Sequence, residues 1–251
     1  MAKKDRGNKK AKTTASSAAT DSSKKTNNSS SKNSTIPLDK LLLPPSKSAH
    51  KAYDIEEIHP GFIWIVHDFL EPKECQAWID YVEQSKELEL CGHPASKFIA
   101  HRECYRWQRN DTQIAAILYQ RMQQSGVLQK LQDKIDFPSP TYVPTAANPN
   151  LRFYKYEKGM SFGKHIDGSH PVEGVGDTEV TVLVYLSECK GGATRFYPSS
   201  SSKKNKSLAF APKLGALLLH VHGDRCLEHE ADPVESGIKY ILRTDVVYAE
   251  G

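Results

Sequence analysis

From residue 151 onward the chain breaks into short runs rich in β-branched and aromatic residues: LRFYKYE, EVTVLVYLS, ATRFY, SLAFAP, ALLLHVH and IKYILRTDVVY. Turn signals separate them, among them EGVGD at 173–177, KGG at 190–192, the polar run 199–206 and Gly223-Asp224. Runs of this length and composition read as strands. Many short strands in succession close into a sandwich or barrel, and eight would make a jelly roll. Upstream, Phe62-Ile63-Trp64-Ile65-Val66 reads as one more strand. Glu71-Pro72-Lys73-Glu74 then opens a helix whose apolar residues Ala77, Trp78, Tyr81 and Val82 follow helical spacing. Asn110-Asp111-Thr112-Gln113 caps a second helix, with Ile114, Ile117, Leu118 and Met122 on one face. The expected fold class is mainly β with flanking helices, the β core preceded by two or more α-helices.

The net charge of +4 is unevenly spread. Residues 1–35 hold eight Lys and one Arg against two Asp, a balance of +7, which leaves the rest at 25 basic against 28 acidic, or −3. A basic Lys/Ser/Thr/Asn-rich tail on a near-neutral body is not the signature of a specific nucleic-acid-binding domain. The tail and linker, 1–45, lack the large apolar residues that would offset ordering and are expected to be disordered. Residues 46–251 then form one domain, with a helical part over 46–145 and a jelly-roll core over 146–251. No apolar run is long enough to cross a bilayer, so no membrane partner is expected. The first 36 residues contain no signal-peptide h-region, and the five cysteines are odd in number and never spaced C-x-x-C. Both point to a reducing compartment, cytoplasmic or nuclear, and away from collagen-type substrates of the secretory route.

Within the β region the stretch GKHIDG places His165 and Asp167 two apart. With ten His and 14 Asp in 251 residues, such a pair arises easily by chance, and His222-Gly223-Asp224 is a second example. Context separates them. A non-haem iron site needs two His and one carboxylate on one face of the metal. His165 and Asp167, at a strand end, project the same way. His229 follows 64 residues later, ahead of the last long strand. Past it come two cations, Lys239 and Arg243, which share a strand face with Ile241 between them; either could hold an acidic co-substrate. The second pair lacks such partners, and His220 and His222 read as packed or capping side chains, or as neighbours that orient the ligands.

RFYKYEKGMSFGKHIDGS, VLVYLSECKGGATRFYP and GALLLHVHGDRCLEHEADPVESGIKYILRTDVVY resemble, in order, successive blocks of the Fe(II)- and 2-oxoglutarate-dependent dioxygenases, most closely the prolyl 4-hydroxylase-like branch. The resemblance covers about 100 residues, 151–248; a stretch upstream, AHRECYRWQRND, fits less specifically and is taken as a helix region. It implies a double-stranded β-helix with Fe(II) held by His165, Asp167 and His229. It also implies O2 and 2-oxoglutarate as co-substrates, succinate and CO2 as products, and ascorbate as a reductant. In that branch the basic residue ten past the distal His, here Lys239, binds the far carboxylate of 2-oxoglutarate; Arg243 is the competing anchor. Tyr156 occupies the position of a tyrosine lining the co-substrate pocket. Thr194 and Phe196 share a face and either pack the core or line that pocket. The substrate is expected to be a prolyl or similar peptide side chain, or else a small molecule, chosen by the loops 98–109 and 168–178. A catalytically silent β-sandwich used as a binding module is the contrasting possibility. Oligomeric state is not legible in the sequence.

Overall fold

The computed structural model describes residues 53–96, 100–137, 139–198 and 207–251. The tail expected over 1–45 and the polar run at 199–206 lie outside the described residues. A hairpin of β1 (Ile55–His59) and β2 (Ile63–Val66) leads into helix α1 (Pro72–Ser85), then β3 (Glu89–His93) and β4 (Arg102–Asn110). Helices α2 (Thr112–Ser125) and α3 (Val127–Lys134) and strand β5 (Tyr142–Ala147) complete the first half. The second half is strand after strand: β6 (Asn150–Tyr156), β7 (Phe162–His165), β8 (Pro171–Val172), β9 (Gly176–Tyr185), β10 (Cys189–Gly191) and β11 (Thr194–Tyr197). It ends with β12 (Leu208–Phe210), β13 (Leu217–Val221), β14 (Glu228–Ala231), β15 (Val234–Gly237) and β16 (Lys239–Glu250).

The two expected helices form for the anticipated reasons. Pro72 sits in the first turn of α1, and the Glu71 amide donates to Glu74 Oε2 at 2.9 Å. In α2 Asp111 is the cap, its Oδ1 accepting from the Ile114 amide at 3.0 Å. Trp78 and Val82 of α1 and Ile114, Leu118 and Met122 of α2 are buried against Trp64, Phe153, Leu217 and Tyr248 of the sheet. A buried pair ties the helices together: Arg121 donates to both carboxylate oxygens of Glu74 at 2.8 Å. α3, which the sequence reading did not anticipate, buries Val127, Leu128 and Leu131.

Every strand pairing is antiparallel. The main path runs β1-β2-β13-β9-β16-β6-β4-β7-β14-β11-β12, with β3 on β4, β5 on β16 and β8 on β9; β10 and β15 pair separately. This is the curled antiparallel sheet of a jelly roll, as expected. One expectation is corrected. Residues 102–110, read as helix, form strand β4, registered on β6 with Arg106 opposite Tyr154 and Gln108 opposite Arg152. Cys104 and Trp107 mimic helical spacing but are buried on opposite sides, in two different apolar clusters. The loop expected over 98–109 is therefore largely this strand, with Phe98 and Ile99 outside the described residues.

Candidate active site

The sheet register assembles the site. β7 and β14 pair with His165 directly opposite His229, their ring centroids 4.2 Å apart, and Asp167 follows just past the end of β7. Donor atoms of His165, Asp167 and His229 lie within 4.8 Å of one another. From Asp167, Oδ1 is 3.8 Å from His165 Nε2 and Oδ2 is 3.5 Å from His229 Nε2. The other ring nitrogens are occupied: Nδ1 of His165 meets the Gly163 carbonyl and Nδ1 of His229 the Leu227 carbonyl, each at 2.9 Å. A carbonyl can only accept, so Nδ1 of each ring carries a proton and Nε2 is the atom that faces the carboxylate. Phe162 stacks on His165 at 3.7 Å and Phe196 on His229 at 5.3 Å, fixing both ring planes. Two imidazoles and a carboxylate, aimed at one point and braced from behind, fit a divalent iron that displaces any proton held between them.

Electrostatics agree. Burial and the neighbouring His229 lower the His165 pKa to about 4, so its imidazole is neutral at pH 7. Burial would raise the Asp167 carboxyl, but the Arg243 guanidinium together with His229 and His220 outweighs it and holds the pKa well below the usual range. Burial would lower His229, but its contact with Asp167 raises it, to about 9. Without a metal, a proton on His229 thus partners the carboxylate; a bound cation would take that proton's place.

The two candidate anchors occupy different places in the site. Arg243 donates from Nη1 to Asp167 Oδ1 at 3.1 Å, and its Nη2 lies 3.0 Å from Asp167 Oδ2 and 3.5 Å from Asp245. Asp245 also pairs with Arg152. Thr181 Oγ1 donates to Asp167 Oδ2 at 2.9 Å and touches His222 Nδ1 at 3.0 Å. Arg243 is thereby engaged with the carboxylate of the triad. Lys239 lies deeper, 1% exposed, opposite Tyr156 in the register, its Nζ 5.4 Å from that ring. Nζ donates to the Gly192 carbonyl at 2.6 Å, using one of three N–H groups. Burial lowers its pKa to about 8. Lys239, Tyr156, Thr194, Ile241 and Arg243 line one cavity with His165, Asp167 and His229. Thr194 lines it, its Oγ1 accepting from Tyr185 at 2.7 Å, whereas Phe196 is fully buried behind His229.

Among the described residues, no metal-ligand cluster includes His222 or Asp224; His222 is buried and Asp224 exposed on a 3-10 turn, Gly223–Arg225. His220 comes closer than a packing residue would, its Nε2 3.5 Å from Asp167 Oδ2. Sequence reasoning missed Arg102, Tyr154 and Leu183, which line the cavity together with Phe162, Glu230 and Ala231. A period-two reading of 102–108 and of 152–156 could have found the first two.

Residues 151–244 match the family model described as the 2OG-Fe(II) oxygenase superfamily. "Probable prolyl 4-hydroxylase 11" of Arabidopsis thaliana is 35% identical over 80 residues, 32% of this chain; the match spans 27% of that relative's length. The viral collagen prolyl hydroxylase of Paramecium Bursaria Chlorella virus-1, solved with 2OG, superposes with a TM-score of 0.51 at 18% identity, covering 75% of this chain and 96% of that one. A Pseudomonas putida prolyl-4-hydroxylase gives 0.51 at 15% identity, covering 75% and 92%. A Trichoplax adhaerens prolyl hydroxylase, solved with a hypoxia inducible factor peptide fragment, gives 0.51 at 20%, covering 74% and 84%. These likenesses show the fold, and with the family match they bear out the resemblance read from the sequence.

Proposed function

We propose that this chain is an Fe(II)- and 2-oxoglutarate-dependent hydroxylase acting on a prolyl or similar peptide side chain. The balance is R–H + 2-oxoglutarate + O2 giving R–OH + succinate + CO2. The observation that carries the reading is the convergence, in one buried cavity, of His165, Asp167 and His229 with a separate buried cation, Lys239. Bound Fe(II) would supply the redox chemistry that couples decarboxylation to C–H hydroxylation. The protein's own groups supply the rest. His165, Asp167 and His229 hold the ion, and the two backbone carbonyls on Nδ1 keep the imidazoles in the binding tautomer. Lys239 neutralises the far carboxylate of 2-oxoglutarate in a place where an unpaired charge is costly. Tyr156 and Thr194 flank it, and Arg243 holds Asp167 in place. Ascorbate would serve as the reductant that keeps such an iron divalent. The prolyl hydroxylase relatives and the neighbour solved with a peptide support a peptide over a metabolite.

The test is succinate release from 2-oxoglutarate under air, with a peptide array and a metabolite panel as stimulants. The expected result is stimulation by proline-bearing peptides, lost in His229→Ala while circular dichroism stays native. Stimulation by metabolites alone would move the substrate class. Turnover unaffected by His229→Ala would refute the assignment of the site.

A further inference from the structure

Two channels meet at the mouth of the cavity, and they share the wall formed by Ile166, Asp167 and Gly168. The first runs over β4 and β6 and is lined by Arg102, Arg106 and Arg152, with His93 and His170. Arg152 is committed to Asp245. Arg102 lies 4.0 Å over the Phe162 ring. Among the described residues, neither Arg102 nor Arg106 forms an ion pair with a carboxylate. The second channel runs over the start of β9 and the 3-10 turn. It carries Glu179, Asp224 and Glu250 against Arg225, which itself lies 3.9 Å from Glu179. Asp224 is exposed, and its carboxylate has no ion-pair partner among the described residues. The first channel draws on β4 and β6 and the second on β5, β9 and the 3-10 turn, so apart from the shared wall at 166–168 they are lined by different residues. Between them Ile166 stands 61% exposed, a large apolar side chain at the rim of a site.

We infer that the substrate is an extended polypeptide with flanks of opposite charge. Carboxylates on one side of the target residue enter the Arg102–Arg106 channel. Lys or Arg on the other side enters the Glu179–Asp224 channel, and Ile166 contacts the apolar segment between. This rests on the hydroxylase reading above and names its substrate class. A uniformly anionic partner such as a nucleic acid meets repulsion in the second channel, and a small anion engages the first channel only. Reversing the charge order puts like charges together on both flanks, so discrimination comes from repulsion as well as attraction.

The experiment uses the full chain with Fe(II), 2-oxoglutarate and ascorbate, and reads peptide-dependent succinate release. Four peptides share a central proline: acidic-then-basic, basic-then-acidic, neutral, and acidic on both sides. Each rim charge pair is worth roughly two- to fivefold in affinity, so two per flank give one polar order a KM about tenfold or more below its reverse. That advantage shrinks as salt rises. In the Arg106→Glu, Asp224→Lys double variant the preference moves toward the reversed order. If the double variant does not fold, Arg106→Gln and Asp224→Lys are read singly; each is expected to raise the KM of the preferred peptide more than that of the neutral one. Equal KM for the two polar orders, or a best KM for the doubly acidic peptide, overturns the inference. So does a failure of all four peptides to stimulate turnover. In that last case a 2-oxoglutarate-dependent charge-transfer band on the Fe(II) protein leaves the hydroxylase reading standing, and absence of the band removes both.

Discussion

The assignment of Lys239 as the co-substrate anchor makes a prediction in pH. Its ammonium is 1% exposed and its pKa is lowered by burial to about 8, against an unfolded value near 10.5. 2-Oxoglutarate stays a dianion from pH 6 upward, so the ligand contributes no titration in that range. Below pH 8 the lysine is charged and binds the carboxylate. Above it the proton is lost, and by pH 9 only about one Lys239 in eleven keeps it. Affinity for 2-oxoglutarate in the Fe(II) protein is therefore expected to be roughly constant from pH 6.5 to 7.5 and about tenfold weaker at pH 9. Lys239→Arg should flatten that dependence, because a guanidinium does not deprotonate there. Lys239→Ala leaves the carboxylate unpaired in a buried cavity, a loss of about 2–5 kcal/mol, or roughly 30-fold to several thousandfold. Anaerobic calorimetric or spectroscopic titrations at each pH read all three proteins. A flat profile in the wild type, or a loss of under about threefold in Lys239→Ala alongside a large loss in Arg243→Ala, would refute the reasoning and make Arg243 the anchor.

Other consequences follow from buried pairs and tight backbone. Arg243→Met removes the guanidinium from Asp167 and Asp245 and should cost about 3 kcal/mol in urea unfolding, partly restored by Mn(II), which takes over as the partner of Asp167. Glu74→Ala strands Arg121 between α1 and α2, at a cost of about 3–5 kcal/mol; a Glu74→Leu, Arg121→Met double variant should recover most of it. Gly215 has φ +75°, and an added Cβ would run into the Leu70 carbonyl, so Gly215→Ala should destabilise by about 3 kcal/mol in the same assay.

The chemistry-bearing part of the sequence was more legible than its frame. His165, Asp167 and His229 could be grouped because a strand-end H-x-D and a distant His before the last long strand suit one metal geometry, and the β7–β14 register does set His165 opposite His229. Lys239 and Arg243 could be placed on one strand face, but not told apart. What separates them is the distance from Arg243 to Asp167, which depends on how the sheet curls and not on spacing along β16. β4 was misread because its face toward the mouth is cationic, Arg102 and Arg106, and offers no apolar alternation. Its two buried residues, Cys104 and Trp107, are three apart for reasons of two separate cores. The place of His220 beside Asp167 was one of two readings left open, because in an apolar run a packed histidine is the ordinary outcome.

The most direct test of the account is an anaerobic titration of 2-oxoglutarate into the Fe(II)-loaded protein, followed by visible absorption. A saturable metal-to-ligand charge-transfer band, absent in Asp167→Ala and shifted to higher 2-oxoglutarate concentrations in Lys239→Ala, is the predicted result. Iron demonstrably bound with no band at any concentration would contradict it, leaving a metal-binding jelly roll without the co-substrate that the cavity is argued to hold.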